Sequence, residues 1–172
     1  MPRSLSEKRE GPRAPACGAA MRQESGVVVS VNVSREKGTR KVPVPRAVLR
    51  VGHGIDGDAH AGEWHRQVSL LSVSSIDNMR AKGLELQPGD FAENLTVSGL
   101  DVWALPVGMR LVVGDEVELE VTQIGKECHF GCDIRRQVGD CVMPREGVFA
   151  KVVAGGTVRP GDAVRVHEGI LA

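Results

Sequence analysis

The chain has 172 residues, and its 22 Lys plus Arg offset its 22 Asp plus Glu to give zero net charge. That length suits one domain that folds without staples, and the balanced charge argues against nucleic-acid binding, whose footprint is a basic excess. No run of about 18 apolar residues is present to span a membrane. The first residues lack the apolar segment of a secretory signal, so the expected location is the cytoplasm, with its cysteines as thiols.

Residues 1–24 are polar, without periodicity, and read as a disordered tail in which Met21 is a second candidate start. One domain is expected over residues 25–168. Gly26–Ser34, "GVVVSVNVS", is β-branched and partly alternating, hence a strand. Arg35–Pro45 is a charged turn and a Pro-punctuated extended segment, and Val51–His60, rich in Gly and Asp, is a loop. Arg66–Ser72 is a strand, and Ser74–Leu86 a short helix, with Ser74 and Asp77 as a capping pair and Gly83 as its end. A strand near Asn94–Val97 follows. Met109–Gly125 gives two strands about Gly114-Asp115, with Val117, Leu119 and Val121 opposite Glu116, Glu118 and Glu120. "CDIRRQV" forms one or two helical turns ended by Gly139, Gly147–Val153 and Asp162–Glu168 are the last strands, and Pro160-Gly161 makes a type II turn. With little aromatic content the core is aliphatic. Many short strands at this spacing predict a mostly β protein, a closed β barrel with a few short helices.

Three cysteines, Cys128, Cys132 and Cys141, fall close together. Three readings stand side by side. A structural zinc site needs four ligands, and the spacing supplies C-x3-C plus Cys141, so a fourth would come from His129 or from His53, His60 or His65. Small buried thiols suit Cys141, which precedes the apolar "VMP", better than Cys128 in polar "GKECHFG". A reactive thiol suits Cys128, at a strand end beside Lys126, His129, Arg135 and Arg136, since cations and helix N-termini favour the thiolate.

"VVVSVNVSREKGTRKVPV", "GIDGDAHAGEWHRQVSLLS", "GDFAENLTVSGLD" and "VTQIGKEC…CVMPREGVFAKVVAGGTVRPGDAVRV" together resemble the MOSC family, domains similar to the C-terminal part of molybdenum-cofactor sulfurases. The match is with the small stand-alone bacterial kind. The resemblance implies a β barrel and a functional cysteine, here Cys128, that carries sulfur as a persulfide or ligates molybdenum in the pterin cofactor. The family often shows "PC" or C-x-x-C near this point where the chain has "KEC" and C-x3-C, which leaves Cys132 and Cys141 as candidates to share the work. The implied cofactor is molybdopterin. The chain offers no pyridoxal-phosphate domain, so a sulfur donor such as a cysteine desulfurase, or molybdopterin-biosynthesis proteins, are the expected partners. A reductase of N-oxygenated compounds is a weaker expectation, because such members carry a further N-terminal β domain.

The other candidates each have a bland alternative. Asp58 and His60 of "GDAH" are site residues or a self-capping turn, and Asn94 is a pterin contact or a turn amide. Arg145, Arg135 and Arg136 bind a cofactor phosphate or form a solvated face, with Arg145 preferred. His129 and Lys126 tune Cys128 or are loop residues, and Trp64 and Trp103 are packing residues.

Overall fold

The computed structural model describes residues 25–128 and 132–167. The expected tail over residues 1–24, the alternative start at Met21, and His129 lie outside that range. Eleven strands and three short α-helices follow in order: β1 Ser25–Val33, β2 Val42–Val44, β3 Ala47–Arg50, β4 Gly54–Ile55, β5 Val68–Ser72, α1 Val73–Arg80, β6 Leu95–Ser98, β7 Arg110–Val113, β8 Val117–Ile124, α2 Asp133–Val138, α3 Met143–Glu146, β9 Val148–Ala154, β10 Gly156–Val158 and β11 Ala163–His167. Among these described residues no helix is long and apolar enough to cross a membrane.

Seven strands close a barrel in the order β1-β11-β7-β8-β9-β5-β6 and back to β1. Closure is made by β1, which is long enough to pair twice. Its first residues meet β11 (Gly26 opposite Val164), and Val27–Val31 meet β6. Closure removes the exposed sheet edges that an open sheet must protect. All these pairs are antiparallel except β5–β6, whose parallel pairing is made possible by the crossover through α1. A second sheet, β10-β3-β4, adds Ala47, Leu49, Ile55 and Val158 to the same core cluster.

Alternation places the core. In β8, Val117, Leu119 and Val121 are fully buried and join Val28, Leu70, Leu111 and Val152 inside the barrel, while the intervening glutamates face out. Strand β5 is buried along its whole length. Its Leu70 points into the barrel and its neighbour Leu71 into a second cluster with Ile76, Met79, Phe91, Ile134 and Cys141. β5 is therefore the shared wall of two cores, one inside the barrel and one under the helices.

Several details depart from the sequence expectation. The helix after β5 is shorter than Ser74–Leu86 and ends at Arg80. Its proposed capping pair is not formed, because Ser74 Oγ donates to Asp101 and Asp77 pairs with Arg80. The region 51–60 contains β4, and β3, α3 and β10 are additional elements. The Pro160-Gly161 turn closes as expected, with Gly161 at φ +95° and Asp162 N donating to Arg159 O.

Candidate functional site

The site begins where β8 ends. Gly125, at φ +77°, turns the chain, and its N–H donates to Gly147 O at 2.7 Å. Gln123 braces the turn, with Nε2 on Gly125 O and Oε1 against His65 Nε2. The chain then runs through Lys126 and Glu127 to Cys128, which is half-buried on the wall of a cavity of about 600 Å³. Cys132 and Cys141 line the same cavity, so the fold gathers all three thiols of the cluster there. Helix α2 starts after Cys132, which occupies the position before its first turn, so Cys132 rather than Cys128 stands at its head. Cys141 is buried, and loss of solvation, reinforced by the neighbouring thiols, pushes its pKa up to about 11. Among the described residues no group of three His, Cys, Asp or Glu is arranged to hold a metal ion.

The opposite wall comes from the 89–93 loop. Glu93 is fully buried and builds it: its carboxylate accepts from Gly89 N at 2.7 Å, Phe91 N at 3.2 Å and Thr96 Oγ1 at 2.9 Å. Burial pushes its pKa up, against the pull of those hydrogen bonds. The loop presents Phe91 and Ala92 to the cavity. Ala92 sits at φ +63°, the one described non-glycine residue with positive φ. That conformation is sparsely populated for a residue with a Cβ and concentrates at functional sites. Asn94 follows and lines a smaller recess beside the cavity. Its Oδ1 accepts from Ser69 N and Oγ, both at 3.0 Å, and its Nδ2 donates to Asn32 O at 3.1 Å.

Charge on the cavity wall is mixed. Arg40 is paired with Asp90 at 3.4 Å and Arg136 with Asp133 at 3.3 Å, and Lys126 is exposed beside Cys128. Arg145 lies on α3 outside the lining and forms a two-pronged pair with Asp140, whose carboxyl Arg145 and Lys82 hold well below its ordinary pKa. Arg135 is exposed on α2 and is likewise outside the lining.

A smaller recess of about 50 Å³ adjoins the cavity and shares Phe91, Ala92, Lys126 and Met143 with it. His60, Trp64, Arg66, Ser69, Asn94 and Phe149 close it. Behind His60 is a buried ion pair, Lys41 Nζ to Asp58 Oδ1 at 2.6 Å. Burial opposes ionisation of Asp58, but contacts from His60, Lys41 and Ser34 N outweigh it and hold the carboxyl well below its ordinary pKa. Asp58 is thus set behind the recess and His60 on its wall. The sequence does not single out Arg66, Trp64, Phe91 and Arg40 as lining residues. "WHR" before a strand is the available signal, but there Trp64 reads as packing, His65 as a candidate zinc ligand and Arg66 as the first residue of a strand.

A sequence profile described as the MOSC domain matches residues 57–165. Among solved structures, the YuaD protein of Bacillus subtilis superposes with a TM-score of 0.72 at 18% identity, covering 85% of this chain and 97% of that one. YiiM from Geobacillus stearothermophilus gives 0.63 at 20% identity, over 83% and 75% of the two chains. YiiM from Escherichia coli gives 0.56 at 18% identity, over 88% and 72%. At these identities the likeness is one of fold. A search of functionally curated proteins finds no match.

Proposed function

The chain belongs to the MOSC domain family, which is associated with the molybdenum cofactor, and from that premise we propose that its cavity holds the pterin form of that cofactor with Cys128 as the sulfur ligand. The observation that carries this reading is the room beside Cys128. A cavity of about 600 Å³ is within the range of small-molecule sites, roughly 300–1,000 Å³, and is far larger than a persulfide alone needs. The residues fit the group. Cys128 offers a soft sulfur ligand of the kind molybdenum accepts, Phe91 and Ile134 offer apolar walls, and Lys126 offers positive charge, with Arg40 and Arg136 beside their partners Asp90 and Asp133. When bound, the cofactor supplies a redox-active metal. The chain's own part is to position that metal through Cys128 and to fix the ring system against the rigid 89–93 loop. A thiol ligand implies a reducing compartment such as the cytoplasm, and molybdopterin-biosynthesis proteins as suppliers.

The presence of Cys132 and Cys141 in the same cavity favours a second reading, sulfur transfer. The Cys128 thiolate would attack the outer sulfur of a donor persulfide. The donor S–S bond breaks, the donor leaves as a thiolate, and Cys128-S-SH forms with no net change of oxidation state. A cysteine desulfurase persulfide is the expected donor class.

Mass spectrometry of protein purified gently without oxygen separates the two. Co-purifying molybdopterin that disappears in Cys128→Ala supports cofactor holding. A Cys128 adduct heavier by about 32 Da, one sulfur atom, supports sulfur transfer instead. Protein that carries neither, and whose Cys128 resists alkylation, would remove both readings.

A further inference from the structure

We propose that Cys132 and Cys141 form a reversible dithiol–disulfide couple, a redox-modification site in the cavity wall that works independently of Cys128. Contact is the first reason. Both are free thiols, and both line the one cavity. Cys132 is the hydrogen-bonding thiol neighbour of Cys141, so the two side chains already meet. A disulfide asks the sulfurs to close to about 2 Å, and the segment between them can supply that movement. It holds α2, a helix of six residues that ends at Gly139 with φ +73°. A Cβ at Gly139 would meet nothing within 4 Å, so this turn has open space around it. Cys141, by contrast, is anchored in the second core cluster beside Ile134 and Val142. A metal would claim the pair only if further ligands converged on it, and among the described residues no group of three His, Cys, Asp or Glu does so.

Exposure is the second reason. Cys132 is exposed, whereas Cys141 is only 5% exposed. An oxidant from solvent therefore meets Cys132 first, and Cys141 is the thiol that resolves the product. With glutathione disulfide as the oxidant, the Cys132 thiolate attacks one sulfur, the glutathione S–S bond breaks, and one glutathione leaves as a thiolate. The Cys141 thiol then gives up its proton, attacks the Cys132 sulfur and expels the second glutathione. Two protein thiols are oxidised, one glutathione disulfide is reduced, and the two protons end on the two glutathiones. In a reducing compartment such a bridge is transient and sensing rather than structural. Its effect is local. The bridge closes residues 132–141 into a loop around α2, whose Ile134 and Arg136 belong to the cavity wall. A cross-link removes open conformations, so the oxidised form holds this wall more firmly beside Cys128. The couple needs neither a cofactor nor a persulfide on Cys128.

The test equilibrates the full chain in glutathione buffers of graded oxidised-to-reduced ratio, quenches with acid and maps tryptic peptides by mass spectrometry. Trypsin cuts at Arg135 and Arg136, between the two cysteines, so a bridge joins two peptides. The wild type is expected to lose about 2 Da, the two thiol hydrogens, with Cys132 and Cys141 in one linked pair, and to regain them in dithiothreitol. Cys141→Ser is expected to stop at a glutathione adduct on Cys132, and Cys132→Ser to leave Cys141 unmodified. Cys128→Ser is expected to bridge as the wild type does, so failure of the function proposed for Cys128 leaves this result readable. The bridged protein is expected to react with iodoacetamide at Cys128 severalfold more slowly than the reduced protein. Absence of a bridge at every ratio overturns the proposal, and so does a bridge made through Cys128 or a glutathione adduct on Cys141 in Cys132→Ser. Equal Cys128 rates in the two forms overturn its effect on the cavity wall. If Cys141→Ser does not fold, the wild-type map and Cys132→Ser decide the matter.

Discussion

Lys41 and Asp58 illustrate how single residues shape this protein. Their side chains are 1% and 0% exposed, which makes the pair a buried one. Two charges removed from water lose much of what their attraction gains, but removing only one leaves the other uncompensated. Lys41→Met is therefore expected to lower unfolding free energy by about 3–5 kcal/mol, read from urea midpoints near neutral pH. The pH dependence follows from Asp58, whose pKa is lower folded than unfolded. Its contribution is fully present above the ordinary aspartate value of about 3.9 and is lost as pH falls toward the folded value. Asp58→Asn should be less stable at neutral pH and should lose less on acidification. An acid limb as steep as that of the wild type would show that Asp58 does not ionise as described.

At the scale of elements, the junction of β8 with α3 is the sensitive point. A Cβ at Gly125 would lie 2.3 Å from Pro144 O, and the residue's φ of +77° is itself strained for any side chain. The clash is with backbone, so α3 must move, carrying Met143 and with it part of the cavity wall. Gly125→Ala is expected to destabilise by about 1–3 kcal/mol from the backbone strain alone and to change the rate at which Cys128 reacts with iodoacetamide. An unchanged rate together with unchanged stability would mean that α3 does not brace the cavity. β8 itself was legible in the sequence, because "VELEVTQI" alternates and a closed barrel buries one face of it. β4 and β10 were not, since Gly54-Ile55 and Gly156–Val158 are strands by virtue of pairing with β3 rather than by composition. Cys128 was legible as a polar-flanked thiol at a strand end. Arg66 was not, because what distinguishes it, its place over the Trp64 and Phe149 rings and a buried Nε without a partner among the described residues, depends on Phe149 far along the chain and leaves no local trace.

For the molecule as a whole, the two cores should differ in cooperativity. The barrel core is continuous around a closed ring, and β1 and β11, from opposite ends of the described chain, are locked into it by their mutual pairing. The second cluster is smaller and is roofed by helices of six and four residues, too short to persist without packing. Native-state hydrogen exchange should therefore show α2 and α3 opening locally, with a lower free energy than the barrel, while amides of β1 and β11 exchange only in the global event together with β8 and β9. Exchange of β1 and β11 as fast as α2 would mean that the ring is not closed in solution. The cavity lies where this looser layer meets the rigid barrel: Phe91, Ile134 and Cys141 of the second cluster line it opposite the end of β8. A ligand seated there bridges a rigid body and a mobile one. Because binding stabilises only the closed form, a saturating cavity ligand should slow exchange in α2 and α3 while leaving the barrel amides nearly unchanged. Uniform protection across the chain would locate the ligand elsewhere.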